Sequence, residues 1–381
     1  ICDFQKPNSI YEFSIKADLF KSLEYKLSKR LTSKDYPETD GKYGNIVAGI
    51  VSDAGWKNKG QITAWKVAPL KYHAAIHHLW NVESVYDGDG AALLYSFENN
   101  ADGNCYINIL TAGFEETEVY YNAAGLMDQG YLITNPGNQL LKILEVSGGE
   151  VTINLAAEVI QELERFEGIG ILITEQGLKE FLKEYALNFS TIFYLQTDGE
   201  ICGKLLSWDN LTPDYSLTQS QVNGYIEYPD TTEILKSISR KYRYHYRDKD
   251  YRYIPVSEIQ THWAAKEKEI ELNYHNDALS THDVAITELF LKKDQVWQVS
   301  FEVELRKVTG IDVMKKVLLR LVRGERIVYI TSIEPVDRGK LRISGIDIKP
   351  LYLRQIILLD EEDPEVAILQ DENDPDCLML M

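Results

Sequence analysis

The chain has 381 residues, 44% hydrophobic and 26% charged, and a formal net charge of −19. That length accommodates two or three domains, and the composition is that of a globular protein rather than a disordered or fibrous one. The negative charge repels polyanions at long range and argues against a nucleic-acid-binding role. Tyrosine is abundant, at 24 residues. Its ring packs while its hydroxyl stays wet, so it suits half-buried strands and broad contact surfaces.

Four cysteines, Cys2, Cys105, Cys202 and Cys377, lie far apart with no CxxC pair, which speaks against a zinc ribbon or a thioredoxin-like site. Free thiols in a reducing compartment are expected. No apolar run reaches the roughly 18 residues of a membrane span, so none is expected. The start, ICDFQKPNS, lacks a charged segment followed by an apolar core, so no signal peptide is expected. The glycosylation patterns at Asn188 and Asn210 are then read as chance matches.

In chain order, 15–31 carries Leu19, Phe20, Leu23 and Leu27 at helical spacing. A polar, glycine-rich loop follows over 33–45, then a short apolar strand at 46–51 and a turn and strand in 56–65. The stretch 69–80, PLKYHAAIHHLW, predicts a helix with Pro69 at its start. Strands are expected at 82–86, 91–97 and 105–110, separated by turns at 87–90 and 99–103.

From residue 119 a different texture predicts a small mixed α/β unit. It has a helix from about Gly137, helices over 154–166 and 174–187, and a buried strand at 169–173 between them. Thr174 and Glu175 would supply the cap and first turn of the last helix. Strands at 191–196 and 200–208 flank Thr197-Asp198-Gly199, a hairpin signal. Beyond them β-structure dominates, with strands near 222–228, 234–246 and 251–256, a helix over 280–292 capped by Ser280 or Thr281, and strands at 297–308, 311–322, 326–333 and 341–348. The short turns joining the last four suggest an antiparallel meander or barrel.

Within that part, 236–253 reads KSISRKYRYHYRDKDYRY. Tyr242, Tyr244 and Tyr246 alternate with Lys241, Arg243, His245 and Arg247, which predicts a strand with tyrosines on one face and cations on the other. Rings that stack on bases beside groups that hold phosphates suit nucleic acid, but the net charge favours a long strand with one packed face and one wet face. The end of the chain is acidic: 360–376 holds nine Asp and Glu and no Lys or Arg. Self-repulsion and two prolines make it a poor independent fold, although the apolar islands 366–369 and 378–381 offer something to dock on a partner.

No motif specifies a reaction. His73 and His77 on the expected helix have the i, i+4 spacing of helical zinc sites, but Ala74 stands where the glutamate of HExxH belongs and no third ligand is evident. A packed or hydrogen-bonded helix face is the expected reading, with a metal-dependent enzyme as a weaker option. Asp87-Gly88-Asp89-Gly90 and Asp198-Gly199-Glu200 do not continue as calcium loops, so turn chemistry accounts for them better. Gly168 to Gly170 make neither a dinucleotide fingerprint nor a P-loop, and there is no GxSxG. Accordingly no catalytic, cofactor-binding or metal-binding residue is nominated, and no cofactor or enzymatic activity is expected.

The order of segments carries a resemblance. VYYNAAGLMDQGYLITNPGNQLLKIL, the following helix, and ILITEQGLKEFLKEYALNFSTIFYLQTDGEICGKLL resemble a unit of tail-tip and baseplate hub proteins of tailed bacteriophages and related contractile injection machines. The strand ILKSISRKYRYHY, the helix STHDVAITELFLKKD and the strands through ITSIEPVDRGKLRISGIDI are similar to the long-strand domain of that family. YPETDGKYGNIVAGIV followed by YHAAIHHLWNVESVYDGDG also looks like baseplate-associated chains. The resemblance covers most of 30–350 and brings no catalytic residues.

It implies a virion structural protein, assembled in the host bacterial cytoplasm, whose copies form a ring, often a trimer. The ring would join the tail tube to the spike or tip and line the DNA path. The implied partners are further copies, the tail tube, and spike or other baseplate proteins, with no sequence-specific nucleic acid. A non-enzymatic receptor- or glycan-binding virion module is the alternative, which aromatic platforms in a cleft would favour. The expected fold class is α+β and β-rich, with antiparallel β-barrel-like domains and a small inserted mixed α/β unit. The expected domains are 1–118, mixed and β-rich; 119–205, the small α/β unit; 206–359, a β-domain with one embedded helix; and 360–381, the acidic tail.

Overall fold

The computed structural model describes residues 25–31, 41–53, 56, 59–149, 151–195, 200–205, 212–230, 235–258, 266–292, 296–304, 306, 310–337 and 339–347. It also describes the backbone of Cys2–Gln5, Glu12–Ile15, Ile368–Asp371 and Asp374–Leu380. The chain divides into two compact units. The first is Ile1–Phe193, Arg240–Pro255 and Glu271–His282; the second is Tyr194–Ser239, Val256–Ile270 and Asp283–Met381. The β-rich α+β class read from the sequence is the one observed.

The first unit is built on an eight-stranded antiparallel sheet. Its strands are β1 (Ile46–Val51), β2 (Ile62–Ala68), β3 (Lys71–Ala75), β4 (Asn81–Tyr86), β5 (Tyr95–Asn99), β6 (Cys105–Ile109), β7 (Glu118–Ala124) and β8 (Gly170–Ile173). They lie in the order β8-β1-β7-β2-β3-β6-β5, and β4 also pairs with β7. Strand β7 therefore sits mid-sheet, against β1, β2 and β4. The change of texture at 118/119 falls just inside it. The core gathers Val47, Val51, Ile62, Tyr72, Val82, Ile107, Val119 and Tyr121. Two of its tyrosines satisfy their hydroxyls on backbone carbonyls: Tyr72 donates to Glu116 at 2.6 Å and Tyr121 to Ala74 at 2.7 Å. A buried hydroxyl without such an acceptor is destabilising by a few kcal/mol, roughly.

Three helices follow. Helix α1 (Pro136–Ser147) begins where the sequence places it, because Asn135 Oδ1 accepts from the Asn138 N–H at 3.0 Å and Pro136 opens the first turn. Gly148, with φ of 66°, ends it. Its buried face is Leu140, Ile143, Leu144 and Ser147. Helix α2 (Ala157–Glu162) is shorter than expected, since Ile153–Leu155 is extended and Leu163–Arg165 tightens to a 3₁₀ turn. The N-cap of helix α3 (Leu178–Asn188) is Gly177, three residues beyond the expected Thr174 cap, and its N–H donates to Glu180 Oε2 at 3.2 Å.

The stretch 69–80 is not a helix. Pro69 and Leu70 form the turn between β2 and β3, with Leu70 at φ of 60°, and β3 is clamped between β2 and β6. Helix propensity is a weak preference, and two flanking strands override it. Tyr25–Leu31 is likewise non-helical and bridges 177 and 43; 16–24 of that expected helix lie outside the described residues, as does the whole expected hairpin turn at 197–199.

The second unit holds a six-stranded sheet of β9 (Tyr215–Thr218), β10 (Val222–Asp230), β13 (Val296–Glu304), β14 (Lys316–Leu321), β15 (Gly324–Asp337) and β16 (Lys340–Asp347). Between β10 and β13 the chain forms β11 (Leu235–His245), β12 (Asp250–Tyr253) and α4 (Ala278–Lys292). The sheet order is β9-β14-β15-β16-β13-β10, with only the β9–β14 pair parallel. Period-two burial makes its core: Val299, Phe301 and Val303 on β13, Val317 and Leu319 on β14, Val328 and Ile330 on β15. In α4 the cap is Asp277, whose Oδ2 accepts from the Ser280 N–H at 2.8 Å, rather than Ser280 or Thr281. Of the acidic tail, the backbone of Ile368–Asp371 pairs antiparallel with that of Asp374–Leu380.

Candidate functional surface

The stretch that stands out in the sequence becomes a hairpin of the first unit. Residues 240–245 of β11 pair antiparallel with β12, placing Tyr242 opposite Tyr253 and Tyr244 opposite Tyr251. Opposed residues share a face, so the tyrosines pack in ring pairs at 5.3 and 4.9 Å between centroids, with Tyr246 against Tyr244 at 5.2 Å. The expected tyrosine face is therefore present, but the expected wet face is not. Arg243 takes φ of 55° and its Nε donates to the Asn276 carbonyl at 2.7 Å. His245 is fully buried against Trp56, and its Nδ1 accepts from the Asp248 N–H at 3.1 Å. Lys241 faces Glu271 at 3.7 Å.

Beyond β11 two residues fasten the hairpin to the sheet. The Tyr246 hydroxyl donates to the Gly170 carbonyl at 3.0 Å and accepts from the Leu172 N–H at 3.3 Å, both on β8. Burial, with Glu184 as a second cause, holds its phenol well above the usual range. Arg247 lies 3.5 Å from the Tyr120 ring centre and donates to the carbonyls of Gly88 at 2.8 Å and Lys59 at 3.3 Å. This side chain is used by the fold rather than offered to phosphate. We expect Tyr246→Phe to lower stability by about 2 kcal/mol, because it leaves a buried donor and acceptor unmet. Urea unfolding checks this; an unchanged midpoint would mean the strap does not hold the hairpin.

The histidines do not form a ligand pair. His77 Nε2 accepts from the Val47 N–H at 2.9 Å and its Nδ1 donates to the His78 carbonyl at 2.8 Å, so both nitrogens are engaged and the tautomer is set. His73 sits on β3, 3.3 Å from Asn104 Oδ1, and stacks edge-on to Tyr106. Burial lowers both imidazoles, His77 to about 4. Among the described residues no group of three or more His, Cys, Asp or Glu is placed to hold a metal ion. The 87–90 segment is a turn: Asp87 Oδ1 accepts from the N–H of Asp89 at 3.1 Å and of Ala91 at 2.7 Å. Asn188 is fully buried, its side chain bonded to the Tyr274 N–H and the Glu184 carbonyl, which is no place for a glycan.

A cavity of about 300 Å³ lies among Lys42, Thr63, Trp65, Glu175 and Tyr246. Lys42 Nζ stands 4.3 Å above the Trp65 ring, so this indole face carries a cation rather than lying open as a sugar platform. The sequence did not signal the half-buried polar cluster beside the hairpin. There Glu184 accepts from Gln176 at 2.6 Å and from Asn273, and Tyr251 donates to Asn273 at 2.5 Å. The partners are separated by 89 residues in one case, beyond the reach of any local pattern.

No family model matches the chain, and no curated protein matches it. Solved structures do. A chain of the virion of a native gene transfer agent particle superposes with a TM-score of 0.56 at 12% identity, over 82% of this chain and 86% of that one. The tail protein of Neisseria meningitidis MC58 superposes more loosely, with a TM-score of 0.43 and 12% identity over 81% and 98% of the two chains. Prophage tail protein gp18 of Listeria monocytogenes EGD-e gives 0.34 and 11% over 79% and 94%. The fold is thus one found in a virion protein, in keeping with the resemblance carried by the order of segments. Among the described residues no helix is long and apolar enough to cross a membrane.

Proposed function

We propose that this protein is a structural, non-catalytic component of a phage-type tail tip or baseplate hub. Its copies assemble into a ring, a trimer in our reading, that joins the tail tube to the spike or tip and lines the DNA path. The observation that carries the reading is the fold shared with a virion chain over 82% of this one. Assembly would take place in the host bacterial cytoplasm and the product would reside in the virion tail, with tube, spike and other baseplate proteins as partners.

Two physical features support it. Strand β10 ends the order of the six-stranded sheet, and among the described residues its outer edge pairs with no strand. Ile226 and Tyr228 on it are 59% and 53% exposed, and a strand edge with exposed apolar side chains is a template for another chain. The net charge of −19 would also keep exiting DNA from adhering to a channel wall; a strongly basic channel face would contradict that part. The edge is tested with Ile226→Lys/Tyr228→Lys. We expect self-association, followed by sedimentation, to weaken at least about tenfold, equivalent to about 1.4 kcal/mol, with unchanged circular dichroism. Undiminished association would remove β10 from the interface.

A further inference from the structure

We propose that the hairpin formed by 240–253 is the receptor for the acidic C-terminal segment, 360–376, of a second copy of this chain. The inference rests on the reading that the chain assembles with itself, and it names a contact which that reading leaves open. The first observation is charge. In a protein of net charge −19, residues 240–253 hold six cations against two carboxylates, Asp248 and Asp250; Arg243 and Arg247 are bound into the fold and Lys241 faces Glu271, and the two cations that stand exposed are Lys249 and Arg252. The segment 360–376 holds nine carboxylates and no cation. Opposite patches of this kind steer encounter and fix register.

The second observation is the open edge. Strand β12 pairs with β11 on one side, and among the described residues no strand pairs with its other side. Its outer end is cationic and apolar together. Arg252 is exposed, Tyr253 is 37% and Ile254 54% exposed, and the Arg243 and Arg252 guanidinium groups lie 5.2 and 5.3 Å from the Tyr253 ring centre. An occupant that suits this edge is extended, acidic, and interrupted by apolar residues. The C-terminal segment has that pattern: the islands 366–369 and 378–381 flank Asp371, Glu372, Asp374 and Asp376, and the backbone over Ile368–Asp371 and Asp374–Leu380 is already extended. Strand addition to an open edge supplies main-chain hydrogen bonds, and the side chains supply selectivity.

The third observation is Arg240. Its side chain is 9% exposed, and among the described residues neither Nε nor Nη1 meets a hydrogen-bond acceptor. A hidden guanidinium without an acceptor is unfavourable, and carboxylates laid along the hairpin would compensate its field.

The test uses the full chain and its charge-swapped variants. Arg252→Glu with Lys249→Asp reverses two exposed cations; Asp is chosen because Lys249 sits at φ of 53°, which Asp tolerates. We expect the self-association constant, measured by sedimentation at about 50 mM salt, to fall about tenfold or more. The wild type should weaken as salt rises to about 500 mM, while the variant responds little. Adding Asp371→Lys, Glu372→Lys and Asp374→Lys to the same chain should restore association. A photo-crosslinker at position 253, in a mixture of isotopically light and heavy copies, should capture 360–381 of the other copy. If the chain associates but the double variant does so unchanged, or the swap fails to restore it, or the crosslinks fall elsewhere, the tail contact is overturned and self-assembly stands. If no copy associates with another under any condition, both readings are overturned.

Discussion

Lowering the pH from 7 to 4 is expected to remove about 6 kcal/mol of stability through two histidines alone, about 3 kcal/mol each. His77 and His275 are buried, and burial lowers each imidazole from 6.5 to about 4. His275 Nε2 donates to the Asn188 carbonyl at 2.6 Å, while its Nδ1, packed between Phe166 and Phe189, meets no partner among the described residues. Protonation would place a second N–H there with no acceptor among the described residues, an effect that the nearby Asp277 charge offsets only in part. The folded state therefore keeps both rings neutral while the unfolded chain takes up protons below 6.5. The fold is undiminished above that pH and loses stability as pH falls from 6.5 toward 4. Since a domain is stable by roughly 5–15 kcal/mol, a loss of this size approaches unfolding. Urea midpoints measured from pH 7 to pH 4 check it. His275→Gln keeps a donor and removes the titration, so its stability should fall with a slope about half as steep. An unchanged slope would show that the acid lability comes from carboxylates instead.

Gly125→Ala is expected to cost about 4 kcal/mol or more, in the range that single substitutions rarely reach. The chain leaves β7 at Gly125 and passes directly against β1. The Gly125 N–H donates to the Gly49 carbonyl and the Leu126 N–H to the Val47 carbonyl, each at 2.8 Å. A Cβ on Gly125 would fall onto the carbonyl of Val47 and approach Ala48 N to 2.9 Å. Those are backbone atoms in mid-sheet and have nowhere to go, so the strands must part and forfeit both bonds. Gly90→Ala is the control, since among the described residues nothing lies within 4 Å of its would-be Cβ and only its φ of 85° is strained; about 1 kcal/mol is expected there. Thermal unfolding of the two variants tests the contrast. Equal shifts would mean that β1 and the start of 125–126 are not in the close register described.

Local pattern carried much of this fold. A short apolar run located β1, short turns set off β13 and β16, and the Asn135-Pro136 pair marked the start of α1, because strands, turns and helix caps are properties of a few neighbouring residues. Distant pairing was not legible. The alanines and histidines of 69–80 have helix-compatible composition, yet β3 forms because β2 and β6 take its hydrogen bonds. Composition placed a boundary at 118/119, whereas β7 closes the sheet with strands up to 74 residues away, as the Ile50–Ala124 pair shows. The 236–253 stretch was recognisable as a tyrosine strand. Its anchoring by Tyr246 on Gly170, 76 residues distant, and by Arg247 on Gly88, 159 residues distant, was beyond any sequence window. That anchoring turns cations that looked ready for phosphate into parts of the framework, leaving the outer strand β12 as the exposed portion.

Above all, this chain is read as building an assembly from copies of itself. Self-assembly is tested most directly by the native mass of the purified full chain in light scattering, with negative-stain images of the same sample. A closed ring of about three copies is expected, since a heterologous contact whose rotation closes gives a discrete ring. A compact monomer, at concentrations well above the micromolar range and without ring-shaped particles, would contradict it.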